Sequence, residues 1–413
     1  MSWKLRFPVF LLSAALSLSG CGKTADRPMN ILIILVDTLR ADHVGSYGYA
    51  RSTTPHLDRL SEESSVFDHA YSHSPWTMPS VASLLTSLTP RDHGITDWQQ
   101  PLDERFLTLA EWLSTKGYST AAFVSHIIFR RKFHFDQGFR HYDQSVLRIG
   151  QSESISTSKE VTDLAVRWLR EREDAPFFLW VHYFDPHSVY LSHEGFAFGD
   201  HPIDRYDSEI AFTDNQIGRL LDAVREEGIL DDTIILFVAD HGEEFLDHGG
   251  LEHSRTLFEE LIRVPLMIRV PGVSPDRIRE IVGMQDLAPT LLDLAGIEIP
   301  AEFRGESIPL VDGRFQPGED RTIFAETLRF ADKRGIRTGR WKLIEDRENG
   351  AVSLYDLEMD PGESRDAAAD NPDVFRKMKG VLDGYYEVPR ASIGEVELSE
   401  ELKNDLKSLG YLR

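Results

Sequence analysis

Two apolar runs in this sequence stop at residues that could bind a metal ion. The run at 31–36 is followed by Asp37, and the run at 234–239 is followed by Asp240 and His241. Continuous apolar runs rich in Ile and Val are typical of strands buried on both faces of a parallel sheet. Ligands bind beyond the carboxyl ends of such strands, and a buried carboxylate without a partner is costly. Each acid alone could be a cap or a turn residue, but the pair predicts a metal site.

A hydroxyl group lies in the segment between these two strands. Pro79 suits the first turn of a helix, which places Thr77 about where an N-cap residue belongs. In one interpretation Thr77 only caps the helix. In the other, the helix N-terminus attracts an anion and a nearby metal ion lowers the pKa of the hydroxyl, which then becomes a nucleophile.

The N-terminus has the pattern of a bacterial secretion signal. Lys4 and Arg6 precede a mostly apolar stretch, 7–18, that is too short to span a membrane. Leu18-Ser19-Gly20-Cys21 resembles a lipobox, so we expect a signal peptide at 1–21, lipidation at Cys21 and a tether at 22–28. Gly22 favours the outer membrane. The expected location is the bacterial cell envelope, facing the periplasm or the surface, with the membrane contacted through the lipid anchor only.

Composition limits the remaining possibilities. The chain has 68 acidic and 45 basic residues, and its net charge of -23 repels nucleic acid. Cys21 is the only cysteine, so the mature protein has no disulfide and no thiol nucleophile. Strand and helix signals alternate up to about residue 312, which predicts a mostly parallel sheet between helices. Short runs separated by turn residues follow, typical of antiparallel strands, and then a helix from Asp373.

Several motifs together resemble those of a known family, the sulfatase-type members of the alkaline phosphatase superfamily. They are NILIILVDTLRADHVGSYGY at 30–49, TPHLDRL at 54–60, SPWTMPSVASLLTSLTPRDHG at 74–94, FFLWVHYFDPHSVY at 177–190, VADHGEEFLDHGGLEHSRTLFEELIRVPLMI at 238–268 and LYDLEMDPGE at 354–363. The resemblance implies an α/β fold with an alkaline-phosphatase-like, mostly parallel sheet between helices. The catalytic domain would span 29–312 and a small C-terminal α+β subdomain 313–413.

The resemblance also implies roles for particular residues. Asp37, Asp240 and His241 would hold one divalent cation, and Thr77 would be a nucleophile that also touches the ion. His187 and His253 would act in catalysis by holding the anionic group of the substrate. Their alternative interpretations are a loop hydrogen bond for His187 and a solvated polar residue for His253.

The departures from the family pattern change the expected chemistry. Sulfatases convert a Cys or Ser in Cys/Ser-x-Pro-x-Arg to formylglycine, whereas Thr77 and Val81 stand at the first and last of these positions here. Thr38 replaces a second metal-binding Asp of many relatives, so a site with few oxygens favours zinc or manganese, with calcium possible. Ser125 replaces a sulfate-binding lysine and is expected to contact the substrate. Arg40 could also reach an anion.

The second metal ion of some relatives has no clear counterpart in this sequence. Asp185, Asp247 or His248 could contribute to it, but no spacing singles them out, so we predict one ion. The predicted reaction is in-line attack of Thr77 at phosphorus, followed by hydrolysis of a phosphothreonine, on phosphate or phosphonate esters and especially diesters. Two alternatives are a sulfuric ester hydrolase proper and a transferase of phosphoryl or phosphoethanolamine groups to envelope lipid or glycan. The substrate would be a small-molecule, glycan or lipid anionic ester, and the oligomeric state is left open.

Overall fold

A computed structural model describes residues 28–147, 156–318 and 321–408 of the chain. The predicted signal peptide, the lipidation site Cys21 and all of the tether except residue 28 lie outside the described residues. Within the described ranges, no helix has the length and apolar character needed to cross a membrane.

The elements alternate between strands and helices in the first two thirds of the chain. The strands are β1 Asn30–Val36, β2 Ser65–Tyr71, β3 Ser119–Phe123, β4 His141–Asp143, β5 Phe177–Tyr183, β6 Thr233–Ala239, β7 Glu244–Phe245, β8 Leu251–Glu252, β9 Arg263–Arg269, β10 Asp276–Gly283, β11 Leu310–Val311, β12 Arg314–Phe315, β13 Ile323–Thr327, β14 Lys333–Arg337, β15 Trp341–Asp346 and β16 Val352–Asp356. The α-helices are α1 Pro55–Ser61, α2 Thr77–Thr86, α3 Pro90–His93, α4 Leu109–Thr115, α5 Ser158–Glu171, α6 Pro202–Glu226, α7 Glu259–Ile262, α8 Leu287–Leu294, α9 Pro372–Glu387 and α10 Glu400–Ser408. Short 3-10 turns lie at Ala41–His43, Gly45–Tyr47, Ile127–Phe129, Arg131–Phe133, Leu230–Asp232 and Met284–Asp286.

The main sheet has eight strands in the order β10-β2-β9-β6-β1-β5-β3-β4. Its pairs are parallel except those of β9, which runs antiparallel to both of its neighbours. The predicted mostly parallel α/β sheet is therefore confirmed.

The register of the central strands decides where the site forms. Val36 of β1 pairs with Tyr183 of β5 and with Ala239 of β6, and all three strands are buried along their whole length. Because three parallel strands end level with one another, the residues that follow them meet at one edge of the sheet. Asp37 and Asp240 are the first residues past that edge.

Helix α2 begins beside the same edge and is buried at all ten of its residues. The residue before it, Trp76, makes no side-chain capping hydrogen bond, and Pro79 lies in the first turn. Ser80 donates a hydrogen bond of 2.6 Å from Oγ to the carbonyl oxygen of Asp240, which fixes the start of the helix against β6. Thr77 is thus the first helical residue, and the interpretation of Thr77 as an N-cap is not supported.

The C-terminal part forms the expected antiparallel sheet, β13-β14-β15-β16, with α9 packed on it. Its own core consists of Ile336, Leu343, Leu354, Met378 and Leu382. Residues after α9 return to the first domain, because Leu398, Leu402 and Leu406 belong to the core of the main sheet.

Candidate active site

The four predicted metal-binding side chains meet at the edge where β1 and β6 end. His241 Nε2 lies 3.6 Å from Asp37 Oδ1 and 3.5 Å from Asp240 Oδ2. The Oγ1 atom of Thr77 lies 3.2 Å from the same nitrogen. Ligand atoms that each lie about 2.1 Å from one tetrahedral ion are roughly 3.4 Å apart, so these spacings fit a shared cation.

The polar atoms of this group also lack the partners that burial demands. Both carboxylate oxygens of Asp37 and Oδ2 of Asp240 are buried without a hydrogen-bond partner among the described residues. The other Asp240 oxygen accepts hydrogen bonds from the backbone N–H groups of Thr38 and His241. Burial and then the charge of Asp240 raise the pKa of Asp37 well above its usual range. A divalent cation would relieve both effects, so the residues present fit one.

A histidine that the sequence analysis did not identify lies behind this group. His182 on β5 is fully buried, and its Nε2 is 3.7 Å from Asp37 Oδ2. Burial lowers the pKa of His182 to about 3, so its ring is neutral at physiological pH. At this distance the two side chains are not hydrogen bonded, and His182 Nε2 is a further buried atom without a hydrogen-bond partner among the described residues. The apolar run 177–183 contained the only signal, a polar residue one place before the end of the strand.

Ser125 was predicted to contact the substrate, and its observed hydrogen bonding corrects that prediction. Its Oγ donates to the backbone carbonyl of His182 at 2.6 Å and lies 3.3 Å from the Nδ1 atom of the same residue. The only proton of the hydroxyl is therefore used within the protein. Ser125 joins the end of β3 to β5 instead of replacing a substrate-binding lysine.

A cluster of imidazole rings lies next to the metal-binding residues. The ring centroids of His241 and His253 are 4.6 Å apart, those of His253 and His187 5.0 Å, and those of His187 and His126 5.7 Å. Burial lowers the pKa of His187 to about 3 and the pKa values of His126 and His253 well below 6.5. The structure thus brings both predicted histidines to the site as neutral groups. It adds His126, whose place directly after Ser125 was the only available signal.

His253 is held by a buried carboxyl group. Glu243 Oε1 lies 3.0 Å from His253 Nδ1, and the hydroxyl of Tyr190 donates to Glu243 Oε2 at 2.9 Å. Burial raises the pKa of Glu243 well above its usual range. The contact engages the Nδ1 atom of His253 and so fixes the orientation of its ring beside the metal-binding residues.

Arg40 does not serve the site in the way the sequence suggested. Its five N–H donors are directed to Asp42, to Asp247 and to the backbone carbonyl of Glu243, at distances of 2.7–3.1 Å. Because a guanidinium has five N–H donors, none remains for an anion. The prediction that Arg40 binds the substrate is therefore wrong, and Arg40 orders the loop after β1.

The residues considered for a second metal ion do not join the first group. Asp185 accepts hydrogen bonds from the N–H groups of Thr157 and Ser158 and so caps α5. Asp247 pairs with Arg40. His248 lies 2.7 Å from Glu260 and, with Glu244, forms a separate group of possible metal ligands.

The C-terminal sheet also contributes to the surroundings of the imidazoles. Arg329 lies between β13 and β14, and its Cζ is 5.0 Å from the ring centroid of Trp76, the neighbour of Thr77. After burial and the charge of His241, the charge of Arg329 contributes to the low pKa of His187. Nothing in the sequence linked this residue to the site, because the link depends on how the two sheets pack.

Comparison with known proteins shows which proteins this chain resembles. The family model described as Sulfatase matches residues 29–297, and one described as N-sulphoglucosamine sulphohydrolase, C-terminal, matches residues 247–384. An arylsulfatase of Clostridium perfringens is 25% identical, covering 81% of this chain and 89% of its own length. A choline-sulfatase of Rhizobium meliloti is 28% identical, covering 84% of each chain. The solved structure of BT4656 in complex with its substrate D-glucosamine-2-N,6-O-disulfate superimposes with a TM-score of 0.78 at 20% identity, covering 87% of this chain and 98% of that one.

Proposed function

Because this chain belongs to the sulfatase family, we propose that it hydrolyses a sulfate ester with Thr77 as the nucleophile. The chain is a hydrolase acting on ester bonds. The family match and the names of the relatives favour the sulfuric ester hydrolase, given as an alternative above, over the phosphate or phosphonate ester that the sequence analysis preferred. The observation that carries the proposal is the meeting of Asp37, Asp240, His241 and Thr77 beside neutral imidazoles.

The residues of the site divide the reaction between them. Asp37, Asp240 and His241, with Thr77, would hold the cation, and this donor set favours zinc or manganese, with calcium as a further option. When bound, the cation would lower the pKa of the Thr77 hydroxyl and neutralise negative charge on the ester oxygens.

The covalent steps are carried by the side chains of the chain itself. Thr77 Oγ1 forms a bond to sulfur while the bond from sulfur to the leaving alcohol breaks. His187 accepts the Thr77 proton on its Nε2 atom and passes it to the leaving oxygen, because its ring is neutral and its Nδ1–H donates to the carbonyl oxygen of Ser188. His253 and, once it has taken the proton, the His187 imidazolium hold the other ester oxygens. Water then hydrolyses the sulfothreonine and restores Thr77.

One observation keeps phosphate and phosphonate esters as a second candidate. Thr77 cannot become formylglycine, so the covalent intermediate has no route of release through an aldehyde and must be cleaved by water. This two-step course suits a phosphothreonine as well as a sulfothreonine. The two candidate functions therefore differ only in the class of ester that is cleaved. The solved relative BT4656 has a sulfated sugar as its substrate, and we propose an anionic sugar ester here too.

The test is a set of paired assays on the purified protein. It is stripped of metal with a chelator, given zinc, manganese or calcium, and then offered aryl sulfate, aryl phosphate and a phosphate diester. We expect sulfate ester cleavage that requires added metal. Thr77→Ala should abolish turnover, Thr77→Ser should keep part of it, and a brief reaction should leave a sulfo group on the Thr77 peptide in mass spectrometry.

A matched control is available in the same helix. Thr86 is a buried threonine at the far end of α2 whose hydroxyl donates to the Ala82 carbonyl, so Thr86→Ala tests the loss of a threonine away from the site. Full turnover in Thr77→Ala would remove Thr77 from the mechanism. Turnover of phosphate esters alone would replace the sulfatase assignment with the second candidate.

A further inference from the structure

A loop of the C-terminal sheet is tied to the segments that carry the catalytic residues. Thr327, the last residue of β13, donates a hydrogen bond of 2.8 Å from Oγ1 to the backbone carbonyl of Ser254. The backbone N–H of Ser254 in turn donates to the carbonyl of Pro75 at 3.0 Å. Three distant segments are thus joined side by side. The residues next to these contacts, Arg329 and Thr77 among them, are fixed around the same place.

Two arginine side chains and two aromatic rings lie close together at this place. The Cζ of Arg329 lies 4.5 Å from the Phe330 ring centroid and 5.0 Å from that of Trp76. The Cζ of Arg255, two residues after His253, lies 5.0 Å from the same Phe330 ring. Both arginine side chains are partly exposed. Stacking uses the faces of a guanidinium, whereas its N–H donors lie in the plane and suit a planar or tetrahedral anion.

Two positively charged side chains lie near the proposed site, although the whole chain is acidic. The net charge of -23 repels a substrate with several negative groups. Arg329 and Arg255 place two positive charges beside the edge. The Ser254 hydroxyl, buried between His253 and Arg255, has no hydrogen-bond partner among the described residues and adds a further donor.

We propose that Arg329 and Arg255, flanking Phe330, form an anion subsite that binds a second negatively charged group on the leaving-group side of the substrate. The scissile ester is assigned to Thr77 and the imidazoles, whereas these arginines belong to loops stacked on Trp76 and Phe330. The subsite therefore selects esters that carry an additional carboxylate or sulfate. This inference rests on the proposed function, because it assumes that the ester enters at Thr77.

The test measures binding, so that it does not depend on turnover. Full-length Thr77→Ala protein, loaded with zinc, is titrated calorimetrically with phenyl sulfate and with its ortho-, meta- and para-carboxylated derivatives. We expect at least one derivative to bind about tenfold tighter than phenyl sulfate, the effect of one charge-assisted contact of about 1.4 kcal/mol. Adding Arg329→Gln or Arg255→Gln should reduce this preference to about twofold or less. Higher salt should reduce it as well.

A control variant separates a local contact from a change of net charge. Arg340 belongs to the same C-terminal sheet and likewise stacks on an aromatic ring, that of Trp341, so Arg340→Gln removes one positive charge elsewhere and should keep the preference. Arg329→Lys should keep part of it. Thermal unfolding of each variant shows that it is folded.

Two results would overturn the subsite. One is that no carboxylated derivative binds tighter than phenyl sulfate. The other is that Arg329→Gln and Arg255→Gln weaken phenyl sulfate as much as the derivatives, which would assign these arginines to the scissile group. The sulfate and disulfate forms of one sugar then tell whether the extra group can be a sulfate. Absence of turnover in the wild type, with the preference intact, would refute the proposed function and leave the subsite standing.

Discussion

Removing the divalent cation should destabilise the folded protein, and the structure indicates by how much. Without an ion, both oxygens of Asp37 and one of Asp240 are buried without hydrogen-bond partners among the described residues. Burial and the charge of Asp240 already raise the pKa of Asp37, which is the sign of a repulsion that an ion would cancel. An ion that binds only the folded state stabilises it by RT ln(1 + [L]/Kd), or about 4.1 kcal/mol at a thousandfold excess over Kd.

That free energy can be converted into a melting temperature. Unfolding entropy is about 2.1 cal/mol/K per residue, or roughly 0.8 kcal/mol/K for a folded region of this size. The expected difference between the metal-loaded and the chelated protein is therefore about 5 °C. It is measured by circular dichroism during heating, first in chelator and then after adding zinc, manganese or calcium.

Two variants locate the ion. Asp240→Asn keeps the oxygen that accepts from the Thr38 and His241 N–H groups but loses the charge, so it should lose the response to metal. In chelator it should be at least as stable as the wild type, because the repulsion between the two acids is gone. His248→Ala, in the separate group with Glu260, should respond like the wild type. Equal melting temperatures of the wild type with and without metal would refute this reasoning, as would a response lost only in His248→Ala.

Three further predictions concern other parts of the chain. Glu243→Ala should lower kcat/KM roughly 10- to 100-fold, because the partners of site histidines orient their rings and His253 would lose the contact at Nδ1. Steady-state kinetics at unchanged metal content measure this effect, and unaltered kinetics would contradict the prediction. Burial raises the pKa of Asp214 to about 7, so the folded state favours the protonated acid. The free energy of unfolding should therefore fall as pH rises from about 4 to about 7, by at most about 1.4 kcal/mol per pH unit. Urea unfolding of Asp214→Asn should show a shallower slope with pH, and an identical slope would assign the dependence to other groups. Cys21→Ser should abolish incorporation of a labelled fatty acid in bacterial cells, and labelling that persists would refute the predicted anchor.

The meeting of Asp37, Asp240 and His241 could be predicted, because the register of the parallel strands brings the residues that follow them together. A run buried on both faces ends where the sheet ends, and parallel strands in level register bring the following residues together. The residues that follow β1 and β6 therefore meet at this edge, whatever the conformation of the loops beyond them. The alternation of strand and helix signals predicted the mostly parallel sheet, and short runs separated by turn residues predicted the antiparallel C-terminal strands.

The residues that sequence reasoning missed depend on contacts between distant loops. Arg40 was a plausible anion ligand until its partner Asp247, 207 positions away, was seen to occupy it. Arg329 reaches the site because the C-terminal sheet is joined to Ser254 and Arg329 itself stacks on Trp76. A periodicity or a motif describes one segment of the chain. It cannot show which side chain of a distant segment forms a hydrogen bond or an ion pair with a residue of that segment.

The path of the last described helix has a consequence for folding. After the chain has completed the C-terminal sheet, it returns to the core of the first domain with Leu398, Leu402 and Leu406. In sequence order, the small sheet therefore lies between two parts of the chain that build the first domain. We therefore expect neither piece to fold on its own, because cutting the gene near residue 312 would remove these three leucines from the core of the first domain. Heat should accordingly melt both sheets in one cooperative step.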